Sequence, residues 1–86
     1  MQTILDEFRR YMRLARIAST AEVSDEYRRG YLPGLRRHYR VGQFPTQDEH
    51  AQCLRLADHP EYAEVVRGYR DGLAGVEPQP QHRPLT

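Results

Sequence analysis

Glu26-Tyr-Arg-Arg-Gly-Tyr-Leu-Pro-Gly-Leu35 returns 38 residues later as Glu64-Val-Val-Arg-Gly-Tyr-Arg-Asp-Gly-Leu73. Six of the ten positions are identical, in the pattern E-x-x-R-G-Y-x-x-G-L. So specific a match within 86 residues marks one structural unit used twice. Residues four apart share a helix face, so Gly30 and Gly34 make one smooth notch, and Gly68 and Gly72 another. Each glycine costs about 1 kcal/mol of helix propensity relative to alanine. Close approach of a neighbouring backbone is the compensation this spacing suggests. The repeat predicts that the second and fourth helices meet through their glycines about a pseudo-twofold axis. The alternative use of such a notch is a groove, or a homodimer contact, left open to a partner. The two copies differ where Leu32-Pro33 stands against Arg70-Asp71, so they are not interchangeable.

Helical signals surround the repeat. Ile4, Phe8, Tyr11, Met12, Ala15 and Ala18 fall on one face of a helix over 3–18. Ser19 and Glu22 fit a capping box for a second helix, in which Val23, Tyr27, Tyr31, Leu35 and Tyr39 recur every fourth residue. Pro33 removes the N–H that would bond the Arg29 carbonyl, which predicts a kink there or a restart near Pro33. Val41 to Pro45 reads as a loop. Thr46 and Glu49 make another capping box, opening a short helix to Ala57 with Ala51, Leu54 and Ala57 inward. Asp58-His-Pro-Glu61 starts a last helix over about 60–74, with Gly75 as its stop. Three prolines within residues 77–86 predict a flexible, extended Pro/Gln-rich tail. No strand pattern competes. The expected fold is all-α: one domain over 1–76 with a kinked second helix. Its short connections suit a small antiparallel four-helix bundle or two stacked helical hairpins.

Leu, Ile, Val and Phe number only 17 of 86, so the core is thin, and six tyrosines supply bulk that aliphatics do not. All 13 basic residues are Arg, and Lys and Asn are absent, a composition that a GC-rich genome would produce. The single cysteine, Cys53, allows no internal disulfide. Neither a membrane span nor a signal peptide is evident, so a cytoplasmic protein of bacterial or phage origin is expected.

Charge is bipolar. Tyr27 to Gln47 holds five arginines and no acid, whereas Asp48 to Pro80 holds seven acids against three arginines. Arg28, Arg29, Tyr31, Arg36, Arg37, Tyr39 and Arg40 are the candidate binding residues. Guanidinium forks grip carboxylate or phosphate, and aromatic faces stack on bases. The plainer reading is a solvated face whose arginines pair with the acidic half. His50 and Cys53 share a helix face with His59 nearby, but the spacing lacks a specific zinc signature. Nothing orients a Cys53–His50 dyad for nucleophilic work. No catalytic residue, metal or cofactor is expected.

Arg67-Gly-Tyr-Arg-Asp-Gly-Leu-Ala-Gly75 resembles the R-G-Y-x-x-G-I-A-G segment of ribosome modulation factor, a small basic helical-hairpin family that binds the ribosome. The likeness covers these nine residues and the related Arg29–Leu35. The chain departs in lacking the Cys-Pro-Tyr element, any Trp, and the family's strong positive charge. The resemblance implies a helix-packing device and, as an alternative function, RNA or ribosome binding. In size and makeup the chain is also similar to accessory proteins of phages and mobile elements, anti-CRISPR inhibitors among them. The expected function is that of a non-catalytic regulatory protein docking on a larger protein or ribonucleoprotein.

Overall fold

The computed structural model describes residues 3–80 of the chain. The Ile4 side chain and tail residues 81–86 lie outside the described residues. Four α-helices follow one another: α1 (Thr3–Thr20), α2 (Asp25–Tyr39), α3 (Gln47–Arg55) and α4 (Ala63–Ala74). Two short 3-10 turns, Leu56–Asp58 and Pro60–Tyr62, join α3 to α4. The described residues contain no strand, and the all-α class is as expected.

The start of α2 differs from the expectation. Ser19 still belongs to α1, where its hydroxyl donates to the Arg16 carbonyl at 2.7 Å. Ser24 is the N-cap instead, accepting the Tyr27 N–H at 3.1 Å, with Asp25 and Glu26 in the first turn. The helix then runs through Pro33 without restarting. The Thr46–Glu49 capping box forms in both directions, at 3.2 Å and 2.9 Å. The last helix begins later than expected, because Pro60 opens a 3-10 turn and α geometry starts only at Ala63. Gly75 ends it at φ 69°, a left-handed conformation in which glycine carries no Cβ penalty.

The interface between α2 and α4 organises the molecule, and it is a backbone seam. A Cβ on Gly30 would overlap the Val65 carbonyl oxygen and lie 2.9 Å from the Tyr69 nitrogen. A Cβ on Gly68 would overlap the Tyr27 carbonyl oxygen and lie 3.0 Å from the Tyr31 nitrogen. Tyr27 and Val65, like Tyr31 and Tyr69, are separated by the same 38 residues as the glycines. Gly34 and Gly72 repeat the reciprocity one turn on, against Tyr69–Leu73 and Tyr31–Leu35. The two copies therefore pack about a pseudo-twofold axis.

That axis also fixes direction. Advancing from Gly30 to Gly34 moves the contact from Val65 to Tyr69, so α2 and α4 run parallel. An antiparallel bundle does not describe this arrangement; paired hairpins do. In the first, Leu14 and Ala18 of α1 pack beside Tyr27, Tyr31 and Leu35. In the second, His50 of α3 reaches Tyr69 of α4. Hairpin α1–α2 corresponds to hairpin α3–α4.

Tyr27, Tyr31 and Leu35 are 0% exposed and Tyr69 2%, so tyrosine fills the core as its abundance implied. The stripe on α1 is less accurate. Leu14 is buried, whereas Phe8 and Met12 are 46% and 43% exposed. Residues 5–10 are exposed throughout and burial begins at Tyr11. Periodicity identifies a face, but only a neighbouring helix can cover it. On α3, Ala57 is exposed because the α-helix has already ended at Arg55.

The Pro/Gln-rich segment expected to be flexible from 77 is held down over its first residues. The Tyr31 hydroxyl donates to the Val76 carbonyl at 2.7 Å. The Gln79 N–H donates to the Tyr27 hydroxyl at 2.8 Å, and Pro78 is buried. The buried phenols need partners, and the chain after α4 supplies them.

Candidate functional site

The residues of the expected arginine–tyrosine face divide between structural work and solvent. Arg28 turns back onto α1, donating to the Ala18 carbonyl at 2.8 Å and the Ala21 carbonyl at 2.7 Å, and pairing with Asp25 at 3.0 Å. It thereby satisfies carbonyls at a helix C-terminus. Tyr31 is core. Tyr39 is half-buried, packed against the core with the His38 ring edge-on at 4.5 Å. Arg37 holds the following loop, donating to the Pro45 carbonyl at 2.6 Å and to Gln47 at 2.9 Å. The seven residues do not form one surface.

Arg29, Arg36 and Arg40 remain. Arg29, Pro33 and Arg36 lie on one side of α2 at helical spacing, Arg40 follows as the C-cap, and none of the three arginine side chains makes a hydrogen bond or ion pair among the described residues. Arg29 and Arg36 border an open groove of about 650 Å³ between α2, the 42–46 loop, α3 and α4. Gly30 and Pro33 of α2, Val65 and Tyr69 of α4, Cys53 of α3 and the 40% exposed Phe44 complete its principal surfaces. Glu49 also borders it, but its carboxylate accepts the Thr46 N–H of the capping box. The groove is thus apolar along its floor and cationic along the α2 wall.

Cys53 and His50 are not paired with each other. Burial pushes the Cys53 thiol above its ordinary value, which lowers its thiolate content rather than activating it. His50 Nδ1 is hydrogen-bonded to the Tyr69 hydroxyl at 2.6 Å, so it braces a core tyrosine and is not paired with Cys53. Among the described residues no group of three His, Cys, Asp or Glu is placed to hold a metal ion.

On the opposite side of the seam, the equivalent groove is filled. Arg67 pairs with Glu64 through two bonds of 2.9 and 3.0 Å, lies 4.4 Å over the Tyr27 ring, and donates to the Gln79 carbonyl at 2.5 Å. The hydrogen bond from Arg67 holds Glu64 below the usual carboxylate range. The Tyr27 hydroxyl donates to Asp71 at 2.5 Å. Burial, first, and that bond hold the Tyr27 phenol well above its normal value.

Sequence reasoning found Arg29, Arg36 and Arg40 but missed Phe44, Cys53 and Val65 as groove residues. The signal available was the repeat itself: Arg29 corresponds to Arg67, Val65 to Tyr27, and Pro33 to Asp71 under the 38-residue offset. Gly68, Tyr69 and Gly72 of the ribosome-modulation-factor-like segment lie in the seam.

Comparison with protein-family models gives no match, and comparisons with curated proteins and with solved structures give no significant match either. Among the described residues no helix is long and apolar enough to cross a membrane.

Proposed function

We propose that the protein is a non-catalytic docking protein that binds a larger protein through the Arg29–Arg36–Arg40 side of α2 and the groove beside it. The observation that carries this reading is the asymmetry of its arginines. Arg28, Arg37 and Arg67 are engaged within the fold, whereas the Arg29, Arg36 and Arg40 side chains form no ion pair among the described residues, although Glu26 stands one turn before Arg29 and Glu49 borders the groove. An unpaired cationic ridge beside an apolar groove suits a complementary acidic surface, with steering by charge and affinity from the groove. Regulation by occlusion of a partner's surface, as an inhibitor or adaptor of phage or mobile-element type, fits a small protein without reactive groups.

A protein partner is favoured over RNA by the tyrosines. Tyr27 and Tyr31 are fully buried, so neither is presented for base stacking beside the arginines, which leaves Phe44 as the exposed aromatic at the groove. Affinity capture from the native host, with and without nuclease, tests the reading. Wild-type protein is expected to retain a protein partner after nuclease treatment, and Arg29→Glu/Arg36→Glu is expected to lose it. Capture unaffected by the double substitution overturns the docking surface. Loss of all captured material on nuclease treatment replaces the protein partner with RNA or a ribonucleoprotein.

A further inference from the structure

We infer that the open groove receives an extended, proline-containing, acidic segment of the partner protein, in the manner of the chain's own residues 76–80 on the opposite side. This identification of the occupant rests on the docking reading above. The pseudo-twofold axis supplies the warrant. Residues 76–80 run without helix or strand over Tyr31, Tyr27 and Arg67, and the 38-residue offset maps those three onto Tyr69, Val65 and Arg29. All three mapped residues border the open groove. After α4 the chain lies along its groove. After α2 it passes through 41–46 into α3, so Phe44 and Pro45 form a rim and the stretch beside Arg29 and Val65 stays uncovered.

The filled groove shows what its architecture recognises. A guanidinium donates to a peptide carbonyl, Arg67 to Gln79, and a proline, Pro78, is buried between flanking polar residues. Extended proline-containing chain loses little entropy on docking and leaves its carbonyls free for such donors. Arg29 stands where Arg67 stands.

The differences between the grooves define the ligand's character. Val65 replaces Tyr27 and Pro33 replaces Asp71, so the floor is more apolar and one carboxylate is missing. In the filled groove Arg67 is paired with Glu64; in the open one Glu26 holds the equivalent position, but neither Arg29 nor Arg36 forms an ion pair among the described residues. Pro33 also withholds the N–H that would bond the Arg29 carbonyl in a regular helix. A ligand with a carboxylate, a backbone N–H and apolar bulk complements these groups.

The test is a titration of the 15N-labelled full chain with acetyl-Val-Glu-Pro-Gln-Pro-amide, the sequence of the docked segment, and with its Glu→Lys counterpart. The acidic peptide is expected to give saturable amide shifts at Arg29, Gly30, Phe44 and Val65. Binding should be roughly tenfold weaker for the lysine peptide, and for Arg29→Glu or Arg36→Glu protein, as expected for loss of one charge-assisted contact. The lysine peptide should regain affinity for Arg36→Glu, a readout that a folding defect would not produce. Shifts confined to Arg67 and Gln79, no saturable shifts, or indifference to both charge reversals overturn the inference. So does an oligouridine RNA that moves the groove amides when the peptide does not. If the peptide fails while partner capture still depends on Arg29 and Arg36, the occupant is wrong and the docking surface stands. If capture is indifferent to them, the docking surface itself falls.

Discussion

Gly68 lies against the carbonyl oxygen of Tyr27 so closely that no Cβ fits between them. The same contact recurs between Gly30 and Val65, each residue displaced by 38 positions. Main chain packs on main chain, so no side chain can move aside to admit a methyl group. Gly30→Ala and Gly68→Ala are each expected to destabilise the fold by about 3 kcal/mol, overpacking outweighing the gain of about 1 kcal/mol in helix propensity. Gly42, at φ 61°, provides the contrast, because a methyl group added there would meet no atom within 4 Å. Gly42→Ala should cost only about 1 kcal/mol, from its left-handed backbone. Urea denaturation of the three variants measures the difference.

Removal of residues 76–86 should destabilise the domain although no helix is shortened. The Tyr27 and Tyr31 hydroxyls would lose Gln79 and Val76, and Arg67 would lose the Gln79 carbonyl. Water can replace these partners in part, so an expected loss of about 2 kcal/mol reflects mainly uncovered apolar surface and weakened polar contacts. Thermal unfolding of the shortened chain tests this. An unchanged midpoint would mean that residues 76–80 contribute nothing to the domain.

Stability should fall at both ends of the pH range. Burial raises the phenols of Tyr27, Tyr31 and Tyr69 above their ordinary value of 10.0. The folded state therefore favours the protonated phenols. Their contribution is complete below pH 10 and is lost as pH rises above the unfolded value toward the folded ones. Glu64 behaves oppositely. Its folded value is lowered from 4.5 by the hydrogen bond from Arg67. Its contribution is present above pH 4.5 and is lost as pH falls through the lowered value. Denaturation across pH checks the alkaline arm with Tyr27→Phe, which should make it shallower because Tyr31 and Tyr69 remain, and the acid arm with Glu64→Gln, which should flatten it.

Arg40→Gly should stabilise the fold and weaken docking. Arg40 caps α2 at φ 53°, a left-handed conformation that costs a non-glycine residue about 1 kcal/mol, and it makes no ion pair there. Glycine adopts that conformation at no such cost but carries no guanidinium. A higher unfolding midpoint with reduced partner capture is the expected pair of results. A higher midpoint with full capture would remove Arg40 from the docking surface.

The seam is legible in the sequence because glycine in a helix is costly, and two notches at a fixed offset have to meet something. The Thr46–Glu49 box is legible because capping is local, requiring only four consecutive residues. The docking of residues 76–80 is not, since Tyr27 and Gln79 are 52 residues apart and a proline-rich composition carries no sign of its partner. Phe8 and Met12 read as inward because a periodic stripe records a face but not how far a neighbour extends along it. The arginines mislead for a related reason: a run of cations looks uniform in sequence, yet the Arg28 and Arg37 side chains bond carbonyls and, among the described residues, those of Arg29 and Arg36 do not. The groove itself is not legible, because its walls come from α2, the 42–46 loop, α3 and α4 together.

Everything assigned to the groove depends on two equivalent helices running side by side in the same direction. Nuclear Overhauser contacts across that seam measure this most directly. Gly30 α-protons are expected to contact the Tyr69 amide, and Gly68 α-protons the Tyr31 amide, with similar intensity. Contacts from Gly30 to the Gly72 end of α4, or none between the two helices, would contradict the parallel seam and the equivalence of the two grooves.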